Sequence, residues 1–199
     1  MLDKNTIEEI LKIKGETRGA VFHTDAKYIL NKKGEQGLNE LRKKLKALGQ
    51  EDIYSEEIKS TGWYPLGLRV LSLLLIKETF NWDKKEIFNM GMSAPKHSFI
   101  VKTLLRYFVS IEKTFEESAK YWEKHYTISE LKAPEINLKE KRLVLHLMDF
   151  KIHPILCTYF KGYFKAITNL VVKTDKITIK ETKCPFNGDA YHEFVIKWE

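Results

Sequence analysis

The chain has 199 residues, 43% of them hydrophobic and 31% charged, with a net charge of +7. That length suits one domain able to bury a sizeable core without disulfides. Two cysteines, Cys157 and Cys184, and an amphipathic rather than apolar opening at residues 1–15 point to a reducing cytoplasm, where thiols serve metal or redox chemistry more than bridges.

Residues 3–13 are predicted as a helix, with 1–14 standing as an appended helix on a single domain spanning 1–199. Residues 25–31 and 34–48 are predicted as two further helices, the second carrying Leu38, Leu41, Leu45 and Leu48 at helical spacing before Gly49. The basic run Arg42-Lys43-Lys44-Leu45-Lys46 sits beside Glu35 and Glu40, and acids and bases intermingle throughout, which argues against a nucleic-acid partner. Leu66–Phe80 is apolar nearly all round and reads as a central helix; Val70–Ile76 is far too short to span a bilayer.

Asp83 is placed to cap a short helix to Met90, and Ser93 to cap the next, with Pro95 in its first turn. Phe99, Ile100, Leu104, Tyr107 and Phe108 give that helix a broad apolar face. Residues 113–126 read as one more helix. After residue 127 the pattern changes. Leu143, Leu145 and Leu147 alternate as in a strand, Ile152 to Ile167 returns to helical period, and 169–173, 176–182 and 191–198 read as strands, with Asn187-Gly188 as the turn between the last two. Helices first, then strand, helix and hairpin, imply an α+β fold: an N-terminal helical half packed on a C-terminal antiparallel sheet, with a crossing helix and a terminal hairpin.

Strand parity puts Glu181 on a face with Ile177 and Ile179, and His192 on a face with Phe194, Ile196 and Trp198. A carboxylate at the end of an apolar face needs a partner. Cys184 lies between the two in a Glu-x2-Cys-x7-His spacing, and Cys157 sits on the preceding helix. Carboxylate, imidazole and two thiols form a tetrahedral zinc-type donor set. The alternative is that Cys157 is a small buried hydrophobe and Glu181 pairs with His192 directly. His153 precedes Pro154 and marks a helix start, with metal ligation as its alternative role.

The segment Phe150-Lys-Ile-His-Pro-Ile-Leu-Cys-Thr-Tyr-Phe-Lys-Gly-Tyr-Phe, with Glu-Thr-Lys-Cys-Pro-Phe-Asn-Gly-Asp-Ala-Tyr-His-Glu-Phe at 181–194, resembles the 4-vinyl-reductase-type domain. That domain shares a superfamily with haem NO-binding sensors and small TRAPP subunits. The resemblance is specific over residues 140–199 and loose before them. It implies a ligand pocket between helices and sheet, often in a homodimer, and, in zinc-binding members, a Glu-x2-Cys-x7-Cys hairpin plus an upstream Cys. Glu181, Cys184 and Cys157 match that pattern, and His192 departs from it.

No Gly-x-Gly-x-x-Gly or Walker loop is present, so no nucleotide cofactor is expected. Neither a Cys-x-x-Cys-His attachment nor the Tyr-x-Ser-x-Arg motif of haem NO sensors occurs, which argues against haem; His97, at a helix start, is the alternative axial ligand. Trp63, Phe99, Tyr107, Trp122, Tyr159 and Phe160 are the expected pocket residues, each also an ordinary core aromatic. The expectation is a cytoplasmic, non-enzymatic sensor or carrier for a small hydrophobic or aromatic molecule, with structural zinc and a separate output protein. The alternatives are a TRAPP-like interaction scaffold and an auxiliary factor of tetrapyrrole metabolism.

Overall fold

The computed structural model describes residues 3–98, residue 101 and residues 110–199. Phe99, Tyr107 and the rest of the apolar face predicted there lie outside the described residues. In chain order the elements are α1 (Lys4–Leu11), β1 (Glu16–Arg18), α2 (Ala20–Ala47), β2 (Trp63–Pro65), α3 (Leu66–Thr79), α4 (Lys84–His97), α5 (Ile111–Glu116), α6 (Ser118–Glu123), β3 (Glu130–Asn137), β4 (Arg142–Met148), α7 (Pro154–Val172), β5 (Ile177–Lys183) and β6 (Tyr191–Trp198). The α+β class and the terminal hairpin are as the sequence implies.

Asp3 caps α1 by accepting from the Thr6 N–H, and Ile7 and Ile10 then point into the core against α3. Gly67 on α3 makes that contact close: a Cβ there would lie 2.3 Å from the Ile10 carbonyl oxygen. The helices predicted at 25–31 and 34–48 belong to one element, α2, which starts earlier and is broken at Gly34 (φ 65°, ψ −172°), a backbone state that glycine adopts without steric cost. Both halves bury one face, Phe22 and Ile29 before the break and Leu38, Leu41 and Leu45 after it.

The short helix expected to end at Met90 instead runs on as α4 to His97, straight through Pro95. Proline forfeits one backbone hydrogen bond there, but Met90, Gly91, Ala94 and Pro95 are all buried, and the face they form packs along α7. Ser93, expected to start the next helix, lies inside α4, and Ser98 Oγ accepts from the Val101 N–H at 3.2 Å. The helix expected over 113–126 is two short helices, separated at Glu117.

The main sheet has the order β3-β4-β6-β5, antiparallel throughout. Its inner face carries Leu143, Leu145 and Leu147 opposite Ile196, Phe194 and His192. α7 crosses this face, capped by His153, whose Nδ1 accepts from the Ile155 N–H at 3.1 Å. Phe164 meets Phe194 with ring centroids 5.2 Å apart. Each such fully buried aromatic contributes about 1.5–3 kcal/mol relative to exposure. The strand predicted over 169–173 is absent: α7 continues to Val172 and stops at Lys173 in the left-handed conformation (φ 54°).

Two features were not foreseen. A small ribbon of β1 and β2 ties the entry of α2 to the entry of α3. β3 forms one edge of the main sheet, with its register shifting between Lys132 and Glu135, around Pro134. β5 forms the other edge, where Thr178, Lys180 and Thr182 are exposed and the register shifts between Glu181 and Lys183.

Candidate functional site

The four residues of the C-terminal constellation come together. One donor atom from each of Cys157, Glu181, Cys184 and His192 lies within 4.8 Å of the others. α7 supplies Cys157, β5 Glu181 and β6 His192, while Cys184 follows β5. His192 is fixed on both sides: Nδ1 is 2.9 Å from Glu181 Oε1 and Nε2 is 2.8 Å from the Phe150 carbonyl oxygen. Cys157 Sγ lies 3.9 Å from the same Nδ1.

Burial would push the Glu181 carboxyl up, but hydrogen bonds from His192 and Cys184 and the charge of Lys161, 3.7 Å away, outweigh it, so the group ionises below its usual range. Both thiols move the other way. Burial raises Cys157 strongly, and the Glu181 charge adds to it. Cys184 is raised mainly by burial as well. Protonated thiols beside a carboxylate–imidazole pair make a hydrogen-bonded cluster that satisfies itself.

A separate cavity of about 110 Å³ lies between α2, α4, α5, α6 and α7. Its lining is almost wholly apolar, with Ala20, Phe115, Leu131 and Phe164 among it. Trp122 and Tyr126 stack at 4.4 Å on one side, and Trp122 meets the edge of Phe160 at 5.3 Å. Of the expected pocket residues, Trp122, Tyr159 and Phe160 line this cavity. Trp63 is elsewhere, on β2 beneath the Arg18 guanidinium, whose carbon lies 3.6 Å from the ring centroid. His97 closes α4 next to Ser98, which does line the cavity. His153 is spent on the α7 cap.

Sequence reasoning missed one imidazole, His125, which lines the cavity. Its Nδ1 lies 3.0 Å from the Tyr121 carbonyl oxygen, an acceptor, so Nδ1 carries the proton and Nε2 is the bare nitrogen of the neutral ring. Desolvation lowers its pKa; the Tyr121 hydrogen bond opposes this, and the charges of Arg18 and Lys124 reinforce it. No motif marks His125. The available signal was its position one turn from the aromatic run Phe115, Trp122 and Tyr126.

A lowered imidazole pKa has a fixed consequence for stability. Between the folded value and the ordinary value of about 6.5, the unfolded chain holds a proton that the folded chain does not. The contribution is therefore complete above the unfolded pKa and is lost as pH falls from there through the folded pKa. Urea midpoints measured across that range should drop toward acid, and His125→Gln should flatten the drop.

Comparison with known proteins gives a fold. No family model matches the chain, and no curated protein does. Among solved structures it is similar to an H-NOX protein from S. oneidensis in the Fe(II)NO ligation state, with a TM-score of 0.70 at 12% identity over 92% of this chain and 99% of that one. An Fe(II) unliganded H-NOX protein from K. algicida gives 0.62 at 13% identity over 92% and 96%. An oxygen-binding H-NOX domain related to soluble guanylate cyclases gives 0.65 at 12% identity over 92% and 95%.

These likenesses correct the expectation that set zinc as the cofactor and counted haem out. The structures that share the fold were solved in iron ligation states. The zinc reading had rested on the polar groups of the C-terminal cluster needing an ion, and they satisfy one another. The case against haem had rested on two short motifs, which say nothing about an imidazole such as His125 brought to a cavity by tertiary packing. The chain thus has the fold of H-NOX domains, built around an apolar cavity with a neutral histidine in its wall.

Proposed function

We propose that this chain is a small-molecule-binding sensor domain whose ligand occupies the apolar cavity, with haem as the cofactor that the donor set can hold. The observation that carries the reading is His125: an imidazole in an apolar wall, with Nδ1–H tied to a backbone carbonyl, which makes Nε2 the unprotonated nitrogen. A hydrogen bond of that kind fixes ring tautomer and orientation and raises the basicity of the ligating nitrogen. When bound, haem would supply an iron able to take a diatomic gas. The aromatic walls would exclude water from it, and Tyr121 would hold the His125 ring in place. His97, at the end of α4, is the alternative axial ligand. A homodimer and a separate output protein belong to the same proposal.

The test is reconstitution. Purified protein mixed with hemin and reduced should show a Soret band at one equivalent, and His125→Ala should abolish or shift it. If His97→Ala does so instead, the axial ligand is His97. Protein that takes up no hemin overturns the haem reading.

A second reading is favoured by size. About 110 Å³ approaches the ~150 Å³ of engineered cavities that hold benzene. A ring-sized apolar ligand fits with the walls as they stand, whereas a tetrapyrrole enters only if they part. Toluene that raises the melting temperature of protein unable to bind hemin would support this second reading.

A further inference from the structure

The stretch of wall that carries His125 lies outside the helices and strands. After α6 ends at Glu123 the chain turns, and the His125 and Tyr126 N–H groups both donate to the Trp122 carbonyl oxygen, at 2.8 and 2.9 Å. The far side of this turn is held by β1. The Arg18 N–H donates to the His125 carbonyl oxygen at 3.0 Å, and the Thr127 N–H to that of Glu16 at 3.1 Å. The Glu16 N–H donates in turn to Thr127 Oγ1 at 2.8 Å, and Thr17, fully buried, pairs with Tyr126 as an antiparallel bridge. β1 is therefore a shared strand, with β2 on one side and the cavity wall on the other.

The Arg18 side chain doubles this tie. Its Nε donates to the Lys124 carbonyl oxygen at 3.0 Å and its Nη1 to the Thr61 carbonyl oxygen, just before β2. The Trp63 ring lies under the guanidinium, 3.6 Å from its central carbon. A planar cation with a fixed fork of donors stacks on a ring and reaches two carbonyls at once, which a lysine ammonium does not. Trp63 is not part of the cavity lining, and it acts at one remove by seating the arginine. The cation also bears on the imidazole. Of the charges near the aromatic wall, Arg69 on α3 is paired with Asp25 on α2, both buried, and acts on Tyr126 and Tyr159. Those that act on His125 are Arg18 and Lys124, and both disfavour its protonated form.

We infer that Arg18 is the positioning residue of this site: seated on Trp63, it pins the backbone of residues 124–127 to β1 and so sets the His125 ring in the cavity wall. Arg18 is absent from the cavity lining, so it acts through His125 rather than on a ligand. With the backbone pinned, the Nδ1–H stays on the Tyr121 carbonyl oxygen and the ring keeps one tautomer. Its bearing on ligand binding rests on the cavity being the ligand site; its hold on His125 does not.

Nitrogen-15 NMR of the full chain, with the His125 signals assigned by their loss in His125→Gln, reads both ring tautomer and titration midpoint. At neutral pH the native chain should show His125 as the Nδ1–H tautomer alone. Arg18→Met loses the fork and the charge, so the ring should sample both tautomers and its midpoint should rise. Lys124→Met removes a neighbouring charge but leaves the backbone carbonyl that Arg18 holds; it should raise the midpoint and leave the tautomer alone. Should Arg18→Met fail to fold, Arg18→Lys, which keeps the charge and loses the fork, should mix the tautomers with the midpoint close to native. Hemin affinity should fall about tenfold or more in either Arg18 variant, the usual cost of losing a group that orients a metal-binding imidazole. A folded Arg18 variant in which His125 keeps its single native tautomer overturns the positioning role. Mixed tautomers with native hemin affinity overturn its bearing on binding. Mixed tautomers in a protein whose native chain takes up no hemin uphold the positioning role and overturn the haem reading alone.

Discussion

Replacing Gly162 by alanine should destabilise the protein by about 2–4 kcal/mol, although helix propensity alone favours the change by about 1 kcal/mol. The reason is the seam between α4 and α7. A Cβ at Gly162 would lie 2.0 Å from the Phe88 carbonyl oxygen and 2.9 Å from the Met92 nitrogen. Gly91 faces back in the same way, with a Cβ there 2.0 Å from the Tyr159 carbonyl oxygen. The obstacles are backbone atoms, so no side chain can turn aside, and the two helices must separate. For a chain of this length the cost corresponds to a melting temperature lower by roughly 5–15 °C. Gly91→Ala should match it. α7 also carries Tyr159 and Phe160 into the cavity, so ligand affinity should change together with stability. A thermal melt near that of the native chain would show that the helices do not meet backbone to backbone.

Arg69→Met alone should cost about 3–5 kcal/mol, because it strands Asp25 as a buried, unpaired carboxylate. The paired change Asp25→Leu/Arg69→Met should recover most of that loss, since apolar side chains suit the site and no charge is left behind. A double-mutant cycle in urea reads the difference directly as a coupling energy. Additive effects of the two single changes would mean that the pair does not interact in the folded protein.

Much of the architecture was readable from periodicity, and the failures have local causes. α3 reads clearly because it is apolar nearly all round, and the β5–β6 hairpin because its inner faces alternate cleanly up to Asn187-Gly188. β3 was not readable: Lys132, Pro134 and Glu135 are poor strand residues, and only pairing with β4 makes them one. α4 was cut short because Pro95 reads as a start, whereas burial of Met90, Gly91 and Ala94 against α7 holds the helix through it. The tail of α7 was read as a strand because Leu170, Val171 and Val172 favour strands locally, and the helix overrides them.

The site divides along the same line. Parity placed Glu181 and His192 inward, and they meet at 2.9 Å. What parity could not supply was the outcome of that meeting, a pair that needs no ion. His125 was invisible for a different reason. It lies outside any regular element, and only the packing of its neighbours Trp122 and Tyr126 on Phe160 of α7 turns it into the wall of a cavity.

The edges of the main sheet have a consequence for how copies of this chain can meet. On β3 a proline and a register shift interrupt the row of hydrogen-bonding groups, and on β5 an exposed lysine and a second shift do the same. Lysine, proline and bulges on an edge discourage an incoming strand from another chain. Cross-β growth therefore has no clean template at either end of the sheet. Copies of this chain are thereby kept from joining edge to edge through the main sheet.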